Sequence, residues 1–234
     1  MWKVWKGVVD MIIAIDGPAG SGKGAIAKMI DEKLGFTRID TGAMYRCIAL
    51  KMLRNDIEIE NIEAIKSMLN DTRIELIKKD GELTVCLDGE DVSKLIRTPE
   101  VNAVVSPVSS VKEIRIKMVD LQRAMKDVAK DIVMEGRDIT TVVFPDADLK
   151  VYLTADLDER AKRRYLELKE SNADVSYEDV YENIKSRDEN DKHKEMGALK
   201  IAEDAVVIDN THLNIEETFE VFKKLIEENK TMQR

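Results

Sequence analysis

Apolar positions in this chain follow two rhythms. Met11–Asp16 (MIIAID) is an apolar run closed by an acid, with Gly17 next, and reads as a fully buried strand of parallel type. Lys23–Leu34 switches to helical spacing, with Ala25, Ile26, Met29, Ile30 and Leu34 on one face and Gly35 where a C-terminal cap belongs. Phe36–Asp40 predicts a second short strand, and Ala43–Arg54 a second helix with Thr41 as its N-cap. Past residue 56 the texture changes. Ile62–Leu69 predicts a short helix, and Arg73–Lys78 and Leu83–Asp88 alternate as strands around Asp80-Gly81, a hairpin signal. Val108–Lys130 predicts a long amphipathic helix, and Asp131–Glu135 and Leu149–Thr154 further buried strands. Asp156 with Glu159 forms a capping box for a basic helix, and a second charged helix covers roughly Tyr177–Asp188. Ala205–Asp209 is the last strand, and Asn214 with Glu217 boxes the start of a final helix. Short apolar strands separated by helices predict an α/β architecture. It is a parallel five-stranded, doubly wound sheet with helices on both faces, interrupted by a small antiparallel insertion.

Composition narrows the setting. The chain has 234 residues, 44% hydrophobic and 35% charged, a globular balance with one sizeable core. No apolar run approaches the ~20 residues that span a bilayer, so no membrane partner is expected. Met1–Asp10 lacks the longer apolar core and cleavage site of a signal peptide and reads as a short tail before the first strand. Cys47 and Cys86 are the only cysteines, which suits a reducing, cytoplasmic compartment and two small hydrophobes in the fold. The histidines, His193 and His212, are too isolated for a metal site or a triad, and no protein metal site is expected. A net charge of −9 disfavours a nucleic-acid surface but allows nucleotide binding, if the positive charges gather in one cleft.

They gather first at Gly17-Pro18-Ala19-Gly20-Ser21-Gly22-Lys23-Gly24, which fits G-x-x-x-x-G-K between a buried strand and a helix. Glycines let backbone N–H groups curl around phosphate oxygens, the helix adds its N-terminal dipole, and Lys23 supplies a point charge for the β- and γ-phosphates. Where Ser or Thr normally follows the Lys and touches Mg²⁺, this chain has Gly24, and Ala25 has no hydroxyl either. Mg²⁺ bound with ATP is then held largely by ATP oxygens, waters and a carboxylate such as Asp16 or Asp40. The cradle alone leaves GTPase, ATPase, kinase and synthetase open.

Arginines narrow that choice. Asp40–Arg46 (DTGAMYR) follows the second strand at the carboxyl edge of the sheet, with Arg46 one helical turn in, where an acceptor phosphate could dock bidentately. Glu135-Gly136-Arg137-Asp138 ends another strand and brings a second Arg to the same edge. A lone Gly-Arg-Asp is usually just a turn, and its place at a strand terminus raises its weight. Arg160, Arg163 and Arg164 share one helix and Arg187 lies on the next. A solvated basic face paired with Glu159 and Glu167 is the competing reading of these. Many cations are needed because two phosphates must meet. Each pair of unit charges ~4 Å apart costs about 4 kcal/mol at an effective dielectric near 20. An ionised phosphate oxygen attacks without a general base, so Asp138 reads as a positioning carboxylate.

Taken together these segments resemble the bacterial cytidylate kinases. The resemblance rests on Ile13–Gly24, Asp40–Arg46, Gly89–Val101, Gly136–Arg164 and Arg187-Asp188-Glu189-Asn190-Asp191, in consistent order from about Met11 to the C-terminus. It implies transfer of the γ-phosphoryl group of ATP to CMP or dCMP, with Mg²⁺; a monomer is expected, although the sequence does not give the oligomeric state. It implies a core over 11–40, 106–155 and 200–234, a nucleoside monophosphate-binding insertion over 41–105, a helical lid over 156–199 and a tail over 1–10. By motif position Lys23, Arg137, Arg163 and Asp138 would be catalytic. Gly17, Pro18, Ala19, Gly20, Ser21, Gly22, Lys23, Gly24, Ala25 and Arg160 would bind ATP. Thr41, Arg46, Ser106, Arg115, Arg137, Asp138, Arg187 and Asp191 would bind CMP. Five positions depart from the family pattern: Ala25 for Thr, Glu135 for Asp, Thr140 for Gly, Lys194 for Arg and Gly197 for Pro. Kinases for adenylate, uridylate or shikimate are the competing enzymes. A nucleotide-binding regulatory protein is the competing non-enzyme, and it predicts loss of the acceptor-side arginines that this chain keeps.

Overall fold

A computed structural model describes residues 11–79, 82–127, 130–170 and 174–232. The expected tail over 1–10 and the Asp80-Gly81 turn lie outside the described residues. The chain divides into two compact units, one up to Arg38 and from Met125 onwards, the other over Ile39–Ala124.

The first unit is built on strands β1 (Met11–Asp16), β6 (Asp131–Gly136), β7 (Leu149–Thr154) and β8 (Val206–Asp209). With β2 (Thr37–Asp40) they form one five-stranded sheet in the order β2-β6-β1-β7-β8. β1 pairs in parallel with β6, Ile13 beside Val133, and with β7, Ile15 beside Val151. Met11, Ile13 and Ile15 point to one face and join Val133, Val151 and Leu153 in the core. Ala14, Ile132 and Met134, on the other side of the pleat, are also fully buried. Burial on both faces is why these strands read as continuous apolar runs rather than alternating ones. Helices α1 (Lys23–Leu34) and α8 (Ile215–Met232) bring Ile26, Ile30, Phe219 and Phe222 onto the first face. Helices α6 (Leu157–Glu170) and α7 (Tyr177–His193) pack on each other through a smaller cluster of Ala161, Val180 and Ile184 that includes Ala19 of the Gly17–Gly24 loop.

The second unit has helices α2 (Thr41–Arg54), α3 (Ile62–Asn70), α4 (Pro99–Val108) and α5 (Lys112–Ala124) beside an antiparallel sheet of β3 (Ile74–Lys79), β4 (Glu82–Leu87) and β5 (Glu90–Asp91). Pairing of β3 with β4 runs from Ile74 opposite Leu87 to Lys79 opposite Glu82. Ile74, Leu76, Val85 and Leu87 are buried, the one-sided pattern of a sheet with a single covered face. Helix α5 packs on α2 and α3, which is why the compact unit extends to Ala124.

Three local expectations are corrected. The N-cap of α2 is Asp40, whose Oδ1 accepts from the Ala43 N–H at 2.9 Å, so Thr41 is already the first helical residue. The long helix expected over Val108–Lys130 is instead α4, a break at Ser109–Val111, and α5 followed by a short turn over Met125–Asp127. Two serines cause the break: Ser109 and Ser110 both turn their hydroxyls back to the Ser106 carbonyl. At α6 the Asp156 N–H donates to Thr211 Oγ1 at 2.9 Å, and Glu159 pairs with Arg163 rather than closing a capping box. The Asn214–Glu217 box is present in both directions, at 2.8 and 2.9 Å.

Candidate functional site

Strand β1 delivers the Gly17–Gly24 loop to the carboxyl edge of the parallel sheet, where the loop turns into α1. Gly17 is required by contact: a Cβ there would collide with the Leu153 carbonyl oxygen of the neighbouring strand. Lys23 is buried and folds back on its own loop, donating to the Pro18 carbonyl at 2.7 Å and to Ser21 Oγ at 3.2 Å. Burial pushes its pKa well below the usual lysine value, and the charge of Arg137 pushes the same way. Glu135, Asp16 and Asp191 pull against them.

The loop is braced from three directions within the first unit. Asp16, fully buried at the end of β1, accepts from Ile139 N at 2.9 Å, Thr140 N at 2.8 Å and Thr140 Oγ1 at 2.6 Å. These bonds pin a single π-helical turn over Ile139–Val143, directly after Asp138. Burial raises the Asp16 pKa above the ordinary carboxylate value, against those hydrogen bonds and Lys23. Thr140, one of the departures from the family pattern, therefore contributes two of the three bonds that hold this turn. From α6, Arg160 donates to Ala155 O and Ala19 O, both at 2.8 Å, and pairs with Asp188 at 2.7 Å. From the same helix Arg163 binds Asn210 through its side chain at 3.2 Å and its carbonyl at 2.8 Å. The Asn210 amide in turn donates to the Ser21 carbonyl.

Arg137 stands at the end of β6, its Nε 2.6 Å from Asp191 Oδ2. Lys194 holds the other oxygen of Asp191 at 2.9 Å. Burial alone would raise the Asp191 pKa, but these two cations outweigh it and hold the carboxyl down at about 2. Lys194 thus serves as one of two cations on Asp191, although it lacks the fork of an arginine. Gly197 has φ of +67°, a left-handed conformation that proline cannot take, so the Gly-for-Pro departure matches the local backbone. Asp138 is buried at the mouth of the π turn, and Arg187 is half-buried on α7. Beside the cradle, Glu135 pairs with Arg38 at 2.7 Å. A Cβ on Gly24 would lie 3.2 and 3.3 Å from the two Glu135 oxygens. The position after Lys23 therefore faces a carboxylate where a hydroxyl usually stands.

In the second unit, Arg46 donates from Nε to Asn102 Oδ1 at 3.2 Å, and Asn102 donates to the Arg97 carbonyl. Arg97 lies 3.6 Å from Asp40, so the start of α2 and the start of α4 share one polar cluster. Thr41 is buried at the start of α2. Arg115 is buried on α5, donates to the Ser109 carbonyl and stands 5.8 Å over the Tyr45 ring. Ser109 links Arg115 to Ser106 through its own hydroxyl. Within this unit Thr41 and Arg46 share helix α2, and Ser106 is linked to Arg115 through Ser109. In the first unit Arg137 pairs with Asp191, the charges of both act on Lys23, and Asp138 follows Arg137 in the chain.

Sequence reasoning missed Asp188 and Asn210. Asp188 donates nothing and accepts from Ala19 N at 3.2 Å, and its signal was its place inside the RDxxD run that already named its neighbours. Asn210 follows the last strand at the sheet edge, a place where polar residues merit weight. Asp16 and Asp40, considered as metal ligands, hold the π turn and cap α2 respectively.

Comparison with known proteins agrees across the chain. The cytidylate kinase family model matches residues 13–229. A cytidylate kinase of Caldicellulosiruptor saccharolyticus is 50% identical over 220 residues, covering 92% of this chain and 96% of that protein. One from Geobacter sulfurreducens is 42% identical over 218 residues, covering 93% of each. Among solved structures, an uncharacterized protein from Eubacterium ventriosum shares the fold alone. Its TM-score is 0.50 at 14% identity, covering 93% of this chain and 98% of that one. A family match over nearly the whole length, on a chain whose cradle and RDxxD residues sit together in one unit, means that this chain belongs to the cytidylate kinase family.

Proposed function

We propose that the protein transfers the γ-phosphoryl group of ATP to CMP or dCMP, giving ADP and CDP or dCDP. The observation that carries the reading is the Gly17–Gly24 loop with Lys23 buried against it and Arg137 just past the end of the adjacent strand, in a chain of the cytidylate kinase family. Lys23 is fixed by its own loop and Arg137 by Asp191, so both cations stand in place before phosphates enter. That is the preorganisation a transition state of two meeting phosphates requires.

The backbone of Gly17–Ala25 and Lys23 take the triphosphate, and Arg137 the group in transfer. By motif position, Arg137, Asp138, Arg187 and Asp191 of the first unit are assigned to the acceptor, as are Thr41, Arg46, Ser106 and Arg115 of the second. Arg160 and Arg163, expected at the phosphates, have their guanidinium groups bonded to the Ala19 carbonyl and to Asn210. We therefore assign them to holding the cradle in shape. No general base is needed, because the acceptor oxygen is already ionised near neutral pH. A lid over 156–199 that excludes water during transfer would limit loss of ATP to hydrolysis.

Mg²⁺ bound with ATP would neutralise charge on the phosphates. The residues present fit such an ion. Mg²⁺ keeps several waters and needs only one or two carboxylates besides phosphate oxygens. Glu135 would hold it while keeping its pair with Arg38, because its carboxylate faces Gly24 beside Lys23, whereas both oxygens of Asp16 already accept hydrogen bonds. Among the described residues no cluster of three or more His, Cys, Asp or Glu side chains could hold a metal ion by itself. No helix among the described residues is long and apolar enough to cross a membrane. We place the enzyme in the cytoplasm, as a monomer, since one copy carries every residue named above.

A coupled assay with Mg²⁺ and ATP against CMP, dCMP, UMP, AMP and GMP tests the reading. Turnover should be at least tenfold greater with CMP or dCMP than with any other acceptor. A preference for AMP or UMP would overturn it in favour of another monophosphate kinase.

A further inference from the structure

Helix α7 carries Asp188 and Asp191 three positions apart, both buried, on one side of the helix. Asp191 grips Arg137. Asp188 reaches the cradle instead: its Oδ1 accepts from the Ala19 N–H at 3.2 Å and its Oδ2 meets Arg160 at 2.7 Å. Arg160 closes the loop by donating to the carbonyl of the same Ala19. The backbone N–H and the carbonyl of one cradle residue are thus both taken by a single ion pair, whose side chains are only 7% and 9% exposed. The apolar parts agree, because Ala19 packs with Ala161, Val180 and Ile184. A Cβ on the next residue, Gly20, would press within 3.2 Å of the Arg160 backbone and 3.5 Å of Ile184. The cradle tip cannot shift without moving α6 and α7, and α7 cannot shift without moving the partner of Arg137.

We propose that Asp188 is a positioning residue that ties the ATP cradle to the helix holding Arg137, so that each substrate tightens binding of the other. This rests on the substrate assignments above. Occupancy of the cradle fixes Ala19 and, through Asp188, the end of α7. Occupancy beside Arg137 fixes the same helix through Asp191. Each ligand then meets a protein already ordered by the other, and the effect is reciprocal.

Calorimetric titration of the full chain with CMP, with and without a non-hydrolysable ATP analogue and Mg²⁺, reads the coupling. The unmodified protein should bind CMP roughly 5- to 150-fold more tightly when the analogue is present. In Asp188→Asn that factor should fall at least about fivefold, while affinity for CMP alone changes no more than about twofold. Exchange of the Ala19 amide hydrogen should accelerate in Asp188→Ala, which removes the acceptor that Asn can keep, and Asp188→Glu should recover part of the coupling. Arg160→Met with Asp188→Leu removes both buried charges at once. It serves if the single variant does not fold, with the same loss of coupling expected. Coupling that survives intact in a folded variant, or an Ala19 amide unchanged in its exchange, overturns the proposal. A protein that binds no CMP under either condition sinks the acceptor assignment instead, and Ala19 exchange still decides whether Asp188 holds the cradle.

Discussion

Ion pairs around the cradle and ion pairs around the antiparallel sheet are built on opposite terms. In the first unit, Arg160 with Asp188, and Asp191 with Lys194, are buried and also bonded to backbone or to a third charge. In the second unit, Arg54 pairs with Glu90 at 2.6 Å while both side chains stay largely in water, and Arg73 pairs with Glu75 at the outer face of the sheet. Buried pairs carry a desolvation penalty that apolar residues would avoid, so their presence signals a demand for placement rather than for stability. Exposed pairs contribute from nothing to about 1 kcal/mol and place nothing that the apolar face of the sheet does not already place. The difference marks where charged side chains are held in place by buried partners.

The sharpest way to break this comparison is Arg137→Ala. Turnover should fall by about 10²–10³, the scale of losing one preorganised donor at a transition state, with ATP-analogue affinity changed less than about threefold. Equal losses in both would mean that Arg137 holds the fold. Next is Asp16→Ala, which strips the acceptors from two buried backbone N–H groups and the Thr140 hydroxyl. Urea unfolding should show a loss of roughly 3 kcal/mol.

Asp191 comes third. Its folded pKa of about 2 lies below the usual 3.8, so its contribution is complete above pH 3.8 and disappears as pH falls to 2. That contribution is about 2 kcal/mol. In Asp191→Asn this component should vanish, giving a flatter stability profile between pH 4 and 2 in urea titrations at stepped pH. The smallest effect belongs to Arg54→Ala, which should change stability by less than about 0.5 kcal/mol and leave turnover untouched. A loss above 2 kcal/mol there would erase the contrast between the two units.

Much of this was legible in the chain. The strands β1, β6 and β7 were readable because burial on both faces produces unbroken apolar runs, and α1 because Gly35 marks its end at φ of +78°. Elements governed by a side chain turning onto its own backbone were not legible. Asp40 took the cap from Thr41, and Ser109 and Ser110 split a helix whose apolar spacing runs on regardless. Lys23 and Arg137 could be placed from the sequence because a strand end next to a glycine constrains where a cation can stand. Asp188 and Asn210 were not, because their roles depend on which neighbour reaches them in three dimensions, and spacing alone does not carry that. The π turn over 139–143 depends on Asp16, more than a hundred residues earlier in the chain, a pairing no local pattern encodes.

The central claim is that the glycine-lined cradle and Arg137 bring two phosphates together for direct transfer. Single-turnover reaction of enzyme with γ-labelled ATP, Mg²⁺ and CMP measures it most directly, with the products separated. The label should appear in CDP, and its rate of appearance should fall by about 10²–10³ in Arg137→Ala. Label released only as inorganic phosphate, from folded protein with CMP in excess, would contradict the claim.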